Sequence, residues 1–448
     1  MEYTSGPYTQ GQLLKDINEI ETSLTNRFLT NGVITDVVEQ RSWRERVEDA
    51  SFGRNTAMYD DLGNPSVMVA FPLQTRVDLG VGTLIRPHEA FIVNEVTKPA
   101  FYNSKYPNIV RGSGTTLRAL SLKGMDPGNS INFDNAMLAC KQKGPGWHLQ
   151  TNPEWSAIAL GAKKQGFLPR GNSLYGKDNA VASEKGIASY FSSNNIARTL
   201  TGSGPLAWSH DGTPFGVCDI KGNVSKWIGG MRLNNGEIQI LVNNNAADNT
   251  NDQSATSVLW LAILATDGSL VETKWQASHA YPLNAYITQS GLMYKATTAG
   301  TSGAAAPVWP TVVSDTVTDG TVVWTCVADQ SLKFDYTAAP TAGSASIELA
   351  TTILNAQPDD TAYGTKLFET LTAHAGITVP DILKSLCLFP LDASHGGNRF
   401  YFRNNGERLP DRGGSWNSAS NAGVFGLGLF TPRSASAASL GFFSAFVL

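Results

Sequence analysis

Phe215-Gly216-Val217-Cys218-Asp219-Ile220-Lys221-Gly222-Asn223-Val224-Ser225-Lys226-Trp227 and, far along the chain, Arg412-Gly413-Gly414-Ser415-Trp416 are the stretches that decide the fold. Glycines at this density imply backbone in the left-handed region or in close approach, which only glycine supplies without steric cost. Trp227 and Trp416 are then core anchors, each burying on the order of 150–250 Å². They hold the scaffold rather than a ligand.

Two helices precede the first stretch. Phe133, Ala136, Met137 and Cys140 share one helical face and Gly144 ends it. In the second, Asn152 can cap, Pro153 takes the first helical position and Glu154 favours the positive end. Trp155, Ile158 and Ala162 form its stripe, and Gly166 ends it. Nearer the start, Leu13, Ile17, Ile20 and Leu24 form a short seam in residues 8–32, suited to joining identical chains or to lying on the chain's own domain. From Gly32 to about Asn108, β-branched and aromatic runs such as Val67-Met68-Val69-Ala70-Phe71 predict strands. After Trp227 the text turns polar, as in 243–250. Residues 277–332 then read as a compact inserted β unit around Tyr294, Trp309 and Trp324, of which at least Trp324 is expected in its core.

Composition limits the functions available. The chain has 448 residues, enough for two or three domains. Only 16% of residues are charged and the formal net charge is −4, so there is no basic footprint for nucleic acid. No run of about 18 apolar residues occurs, and Met1–Gly6 does not open a secretory signal, so no membrane insertion is expected. The four cysteines, Cys140, Cys218, Cys326 and Cys387, are far apart and read as buried thiols rather than metal ligands.

Several enzyme motifs fail. Residues 171–178 approach a P-loop, but Asp178 stands where a hydroxyl should bind magnesium, which predicts a surface loop. His395-Gly396-Gly397-Asn398 looks like an esterase oxyanion loop without a nucleophile elbow to serve. His88, His148, His210, His279, His374 and His395 make no ligand spacing. Glu154, Asp211 and Asp219 are carboxylates whose separation in space the sequence leaves open.

Taken together, the two opening stretches resemble the formylglycine-generating-enzyme branch of the C-type lectin fold. In that branch a G-x-x-D-x-x-G-N-V-x-x-W segment precedes R-G-G-x-W and a closing G-F-R. Gly441-Phe442 matches the close, although Phe443 stands where Arg is usual. Gly146–Trp155 looks like the branch's R-L-P-T-E-A-E-W helix start. The resemblance runs from about Ala90 to Leu448, interrupted by the insertion. It implies an α+β fold of C-type lectin type, with an inserted small β module and a helical and β-rich N-terminal region. The module itself resembles small carbohydrate-binding-like modules of phage tail proteins and chitinases. The expected parts are an attachment and trimerisation region at 1–100, the lectin-fold domain at 101–448 and the module at 277–332 within it.

The oxidase chemistry of that branch uses a cysteine pair near the C-terminus, and no cysteine follows Cys387. The E-P-N, Q-P-D and W-N-D tripeptides of calcium-dependent sugar lectins are absent too. The nearest resemblance is therefore to the variable proteins of diversity-generating retroelements, typified by phage tropism determinants. In that family the last segment is rewritten by adenine-directed mutagenesis, mostly at Asn codons. Residues 417–443 contain no Lys, Glu, Gln, Met or Trp, the five residues that such changes in AAC or AAT cannot produce. The resemblance marks Ser415, Asn417, Ser418, Ala419, Asn421, Gly428, Phe430, Thr431, Ala435, Ala437, Ala438 and Ser439 as variable, receptor-binding positions. Gly423, Val424, Phe425, Leu427, Leu429, Arg433, Ser434 and Gly441 are marked as fixed. Strand alternation agrees: Phe425, Leu427 and Leu429 face the core, while Gly428 and Phe430 face out.

The expectation is a non-enzymatic phage tail-fibre protein at the virion's fibre tip. It would be a homotrimer carried with other virion proteins and binding a host-surface protein or glycan. No nucleic acid, cofactor or metal is expected. The alternatives are an enzyme of the formylglycine-generating type, a glycan hydrolase, or an adhesin of the bacterial surface.

Overall fold

The computed structural model describes residues 10–289, 291–340 and 346–448. The readings on Met1–Gly6 and on the first residues of the N-terminal helix lie outside them. The chain is a mixed α/β protein with a large mixed sheet and few helices. Among the described residues no helix is long and apolar enough to cross a membrane.

Helix α1 (Gln10–Asn31) lies on its own chain. Ile17 and Leu24 of the seam are fully buried, packed with Val47, Ala57, Val67 and Phe215. Glu21 goes in with them. It accepts from Lys105 Nζ at 2.6 Å and from the Tyr106 hydroxyl, and Lys105 also donates to Asn55 Oδ1 and the Pro214 carbonyl. Helix α2 (Val37–Ser51) corrects the expectation of strands throughout this region. Its charged sequence buries only Val47 and Ser51 completely, so it lacks a clear apolar stripe. Asp36 caps it by accepting from Val38 N.

The strands after it enter a five-stranded sheet in the order Asn55–Tyr59, Pro65–Pro72, Ala100–Ser104, Ser444–Val447, Trp147–Leu149, with all neighbours antiparallel. The expected boundary near residue 100 therefore cuts through one continuous sheet. Residues 55–72 are joined to residues 444–447 through the strand 100–104, so the N-terminal segment completes the domain rather than preceding it.

Helices α3 (Phe133–Lys141) and α4 (Asn152–Lys164) form as their patterns require. The cap of α4 is Thr151, one residue before the expected Asn152. Thr151 and Glu154 exchange side-chain and backbone hydrogen bonds in a capping box. That frees the Asn152 side chain to donate to the Leu386 carbonyl at 2.9 Å. Asn244, from the polar tract, is fully buried against this turn and bridges Thr151, Glu154 and the Ala90 carbonyl.

The large sheet carries a run of strands in the order Gly364–Leu367, Arg399–Phe402, Leu427–Thr431, Glu407–Arg412, Ser225–Trp227, Leu440–Phe442. Phe400, Phe402, Leu427 and Leu429 send their rings and branches into one core with Phe334 and Tyr336. The inserted unit keeps a core of its own around Tyr281, Tyr294 and Trp324. There Asp319 Oδ2 accepts from the indoles of Trp275 at 2.7 Å and Trp324 at 3.1 Å.

Replacing Lys105 by Met leaves Glu21 buried without its cation. Urea unfolding is expected to report a loss of about 3–5 kcal/mol, whereas a change under about 0.5 kcal/mol, the usual size for a surface substitution, would mean that the pair does not fasten α1.

Candidate functional site

The two glycine-rich stretches meet in the middle of the large sheet. Asn223, with φ of 63°, is completely buried and holds residue 199 from both sides: its Oδ1 accepts from Thr199 N at 3.0 Å and its Nδ2 donates to the Thr199 carbonyl at 2.9 Å. Gly222 has φ of 74°, and a Cβ there would sit 2.1 Å from the Asn172 carbonyl oxygen. Asp219 is buried and accepts from Gly202 N at 2.8 Å. Burial raises its pKa, while burial beside it lowers that of Lys226, whose ammonium donates to the Gly222 carbonyl at 2.6 Å. Trp227 is buried and its indole donates to the Ile131 carbonyl at 2.9 Å.

Arg412 is also sealed from solvent. One of its nitrogens donates to Asn152 Oδ1 at 2.7 Å and to the carbonyls of Leu386 and Cys387, and burial pushes its pKa down to about 10. Gly413 and Gly414 follow with φ of 84° and 71°. They swing the chain to Trp416, which is 7% exposed and packs with Ala197 and Val224. Phe443, where Arg was usual, is fully buried in the core around α4.

On the opposite face of these strands lies an open depression of about 500 Å³. Its floor is Ser225, Asp411, Gly428 and Thr431. Ser415, Asn417, Ser418 and Asn421 line it from one loop, Ala435, Ser436, Ala437 and Ser439 from another, and Arg399, Tyr401 and Phe430 from the strands. No protein-family model matches the chain. No curated protein matches it either.

Ten of the twelve positions expected to contact a receptor line this one depression: Ser415, Asn417, Ser418, Asn421, Gly428, Phe430, Thr431, Ala435, Ala437 and Ser439. Ala419 and Ala438 do not line it. Ala419 has φ of 50° and its N–H donates to the Ser173 carbonyl. Ala438 packs against Trp416 and its neighbours, and its carbonyl accepts from Arg198. Gly428 faces the depression but leaves no room for a side chain, since a Cβ there would lie 2.4 Å from Asp411 Oδ2. Ser415 and Thr431 are only 6% and 8% exposed and, like Asp411 at 8%, meet the depression through few atoms.

The loop after Phe430 is held by the Arg433 side chain, which donates to Glu407, Asp134 and the Gln253 carbonyl, and beyond it by backbone carbonyls. The carbonyls of Ala437 and Ser439 accept from Ser130 N and Ser225 N at 2.9 and 2.7 Å, and that of Ala438 accepts from Arg198 at 3.1 Å. Bonds of this kind are indifferent to which side chain stands above them.

Asp411 and Tyr401 were not read from the sequence as site residues. The register places Tyr401, Gly428 and Asp411 in one cross-strand row, information that only the strand pairing supplies. Thr431 and Ser225 hydrogen-bond to the Asp411 carboxylate. Burial pushes its pKa up to about 6, against the opposing pull of those hydroxyls and of Arg412.

The other motifs have structural roles. The loop at 171–178 is largely buried rather than on the surface, because Asp178 accepts from Gly171 N and binds Lys221 Nζ at 2.7 Å. His395 packs edge-on against Phe425 at 4.6 Å, and burial lowers its pKa to about 4. Glu154 pairs with His148 at 2.8 Å, and Asp211 with Arg54.

Because the folded-state pKa of Asp411 lies above its ordinary 3.8, the folded chain holds this proton more tightly than the unfolded one. Its favourable contribution is full below about pH 4 and disappears as pH rises through about 6. Asp411→Asn should flatten the pH dependence of the urea midpoint across that window. An unchanged slope would mean that the carboxylate is solvated.

Proposed function

We propose that this protein is a receptor-binding, tropism-determining protein of a phage tail fibre. It presents exchangeable side chains on a scaffold of the C-type lectin type, in the formylglycine-generating-enzyme-like branch. The observation that carries this reading is that ten of the twelve positions marked by the resemblance line one open depression, behind which Asn223, Trp227, Arg412 and Gly413 are buried. A surface meant for exchange needs a frame whose stability does not depend on the side chains exchanged. Backbone carbonyls bonded to Ser130, Arg198 and Ser225 meet that requirement for 437–439.

Binding rather than catalysis fits the lining. Among the described residues around the depression, Asp411 is the one carboxylate, so a glycan hydrolase working through two has no second partner there. The small side chains imply a weak single site. A homotrimer repeated over several fibres raises avidity by roughly 10²–10⁴ through effective concentration. The partner is a host-surface receptor, and the location is the fibre tip.

Joint replacement of Asn417, Phe430 and Ala437 by bulky polar residues tests this. Adsorption of fibre-bearing particles to host cells should be abolished or redirected, with stability changed by no more than about 0.5 kcal/mol per site. Undiminished adsorption by a folded triple variant would remove the depression from the binding face.

A further inference from the structure

Within the depression the expected variable positions surround a floor that the sheet supplies, and Asp411 belongs to that floor. Asp411 stands before the expected variable stretch, next to the last residue of the strand Glu407–Arg412, with Leu427–Thr431 on one side and Ser225–Trp227 on the other. Its carboxylate lies across Gly428, the only width of neighbour that the 2.4 Å approach allows. Thr431 donates to Oδ2 at 3.1 Å. A carboxylate built into a floor in this way is a standing demand for hydrogen-bond donors.

We infer that Asp411 is the fixed recognition group of the depression, and that the depression takes a neutral polyhydroxylated ligand, a saccharide, whose hydroxyls donate to that carboxylate. This rests on the depression being the receptor-binding face. The surroundings select the ligand class by charge and by shape. An anionic ligand would meet Asp411 itself. A cationic one would meet Arg399 on the rim, and the Phe430 ring is already engaged by the Arg403 guanidinium, 5.8 Å from its centroid. Serine hydroxyls and the Asn417 and Asn421 amides both donate and accept, which matches vicinal hydroxyls. Tyr401 and Phe430, with centroids 5.7 Å apart, give an apolar wall for the C–H face of a pyranose ring. The volume of about 500 Å³ falls within the range of small-molecule sites.

The experiment is saturation-transfer NMR on the full chain with methyl glycosides of glucose, mannose, galactose, rhamnose and N-acetylglucosamine, and with n-butylammonium as the cationic probe. At least one glycoside should bind. Asp411→Asn should weaken it about tenfold or more, the scale of a hydrogen bond to a charged group. Gly428→Ala, which displaces the carboxylate without deleting it, should weaken it as well, and thermal melts confirm that both variants are folded. Equal binding to wild type and Asp411→Asn would overturn the role of Asp411. Binding of n-butylammonium alone, or of no probe, would overturn the saccharide. If no glycoside binds while the triple variant above still abolishes adsorption, the ligand class falls and the receptor-binding face stands. If adsorption is also unaffected, both fall.

Discussion

Everything on the outer face of the large sheet depends on a guanidinium that never meets water. Arg412 is enclosed by Asn152 and by the carbonyls of Leu386 and Cys387, far apart in sequence, and two of its nitrogens find no partner. Burying a charge with incomplete hydrogen bonding is expensive, so the groups that do reach it are held firmly in place. Side chains alternate along a strand, and the residue before an inward arginine must therefore point outward. Asp411 is placed by that constraint, and the row through Gly428 and Tyr401 follows from the same register.

The frame and the face thus use different physics. Behind the sheet, indoles and carboxamides are locked by hydrogen bonds to particular backbone atoms, as Trp227 is to Ile131 and Asn223 to Thr199. In front of it, the chain near 437–439 is tethered by its carbonyls, with Ala438 alone packed against the Trp416 cluster, and Ala437 and Ser439 have little to lose. Loss of a side chain costs stability only where that side chain makes contacts or leaves a cavity. The division allows a surface to change while its support stays constant.

Much of this was legible in the sequence, for identifiable reasons. The glycine-rich stretches announced themselves because left-handed backbone and contacts closer than 3 Å leave no alternative residue at Gly222 and Gly413. The alternation of Phe425, Leu427 and Leu429 against Gly428 and Phe430 was readable because a strand has period two, and the structure places them so. What was hidden depended on partners distant in the chain. Asp411 looks like any strand residue until Gly428 is set beside it, and Asn244 looks like part of a soluble tract until Thr151 and Glu154 close around it. Helix α2 escaped because a charged helix that buries little carries no strong periodic signal. The resemblance marked Gly428 as a contact position, whereas its constraint in the fold is the Asp411 carboxylate that leaves no room for a Cβ.

The strand Ser444–Val447 occupies an inner place in the five-stranded sheet, between Ala100–Ser104 and Trp147–Leu149. A chain broken off within residues 417–443 would leave both of those strands with bare edges facing each other across an empty slot, a state prone to aggregation and disposal. A copy that folds to expose the depression therefore carries the whole segment that builds it, which makes the sheet a check on that segment's completeness.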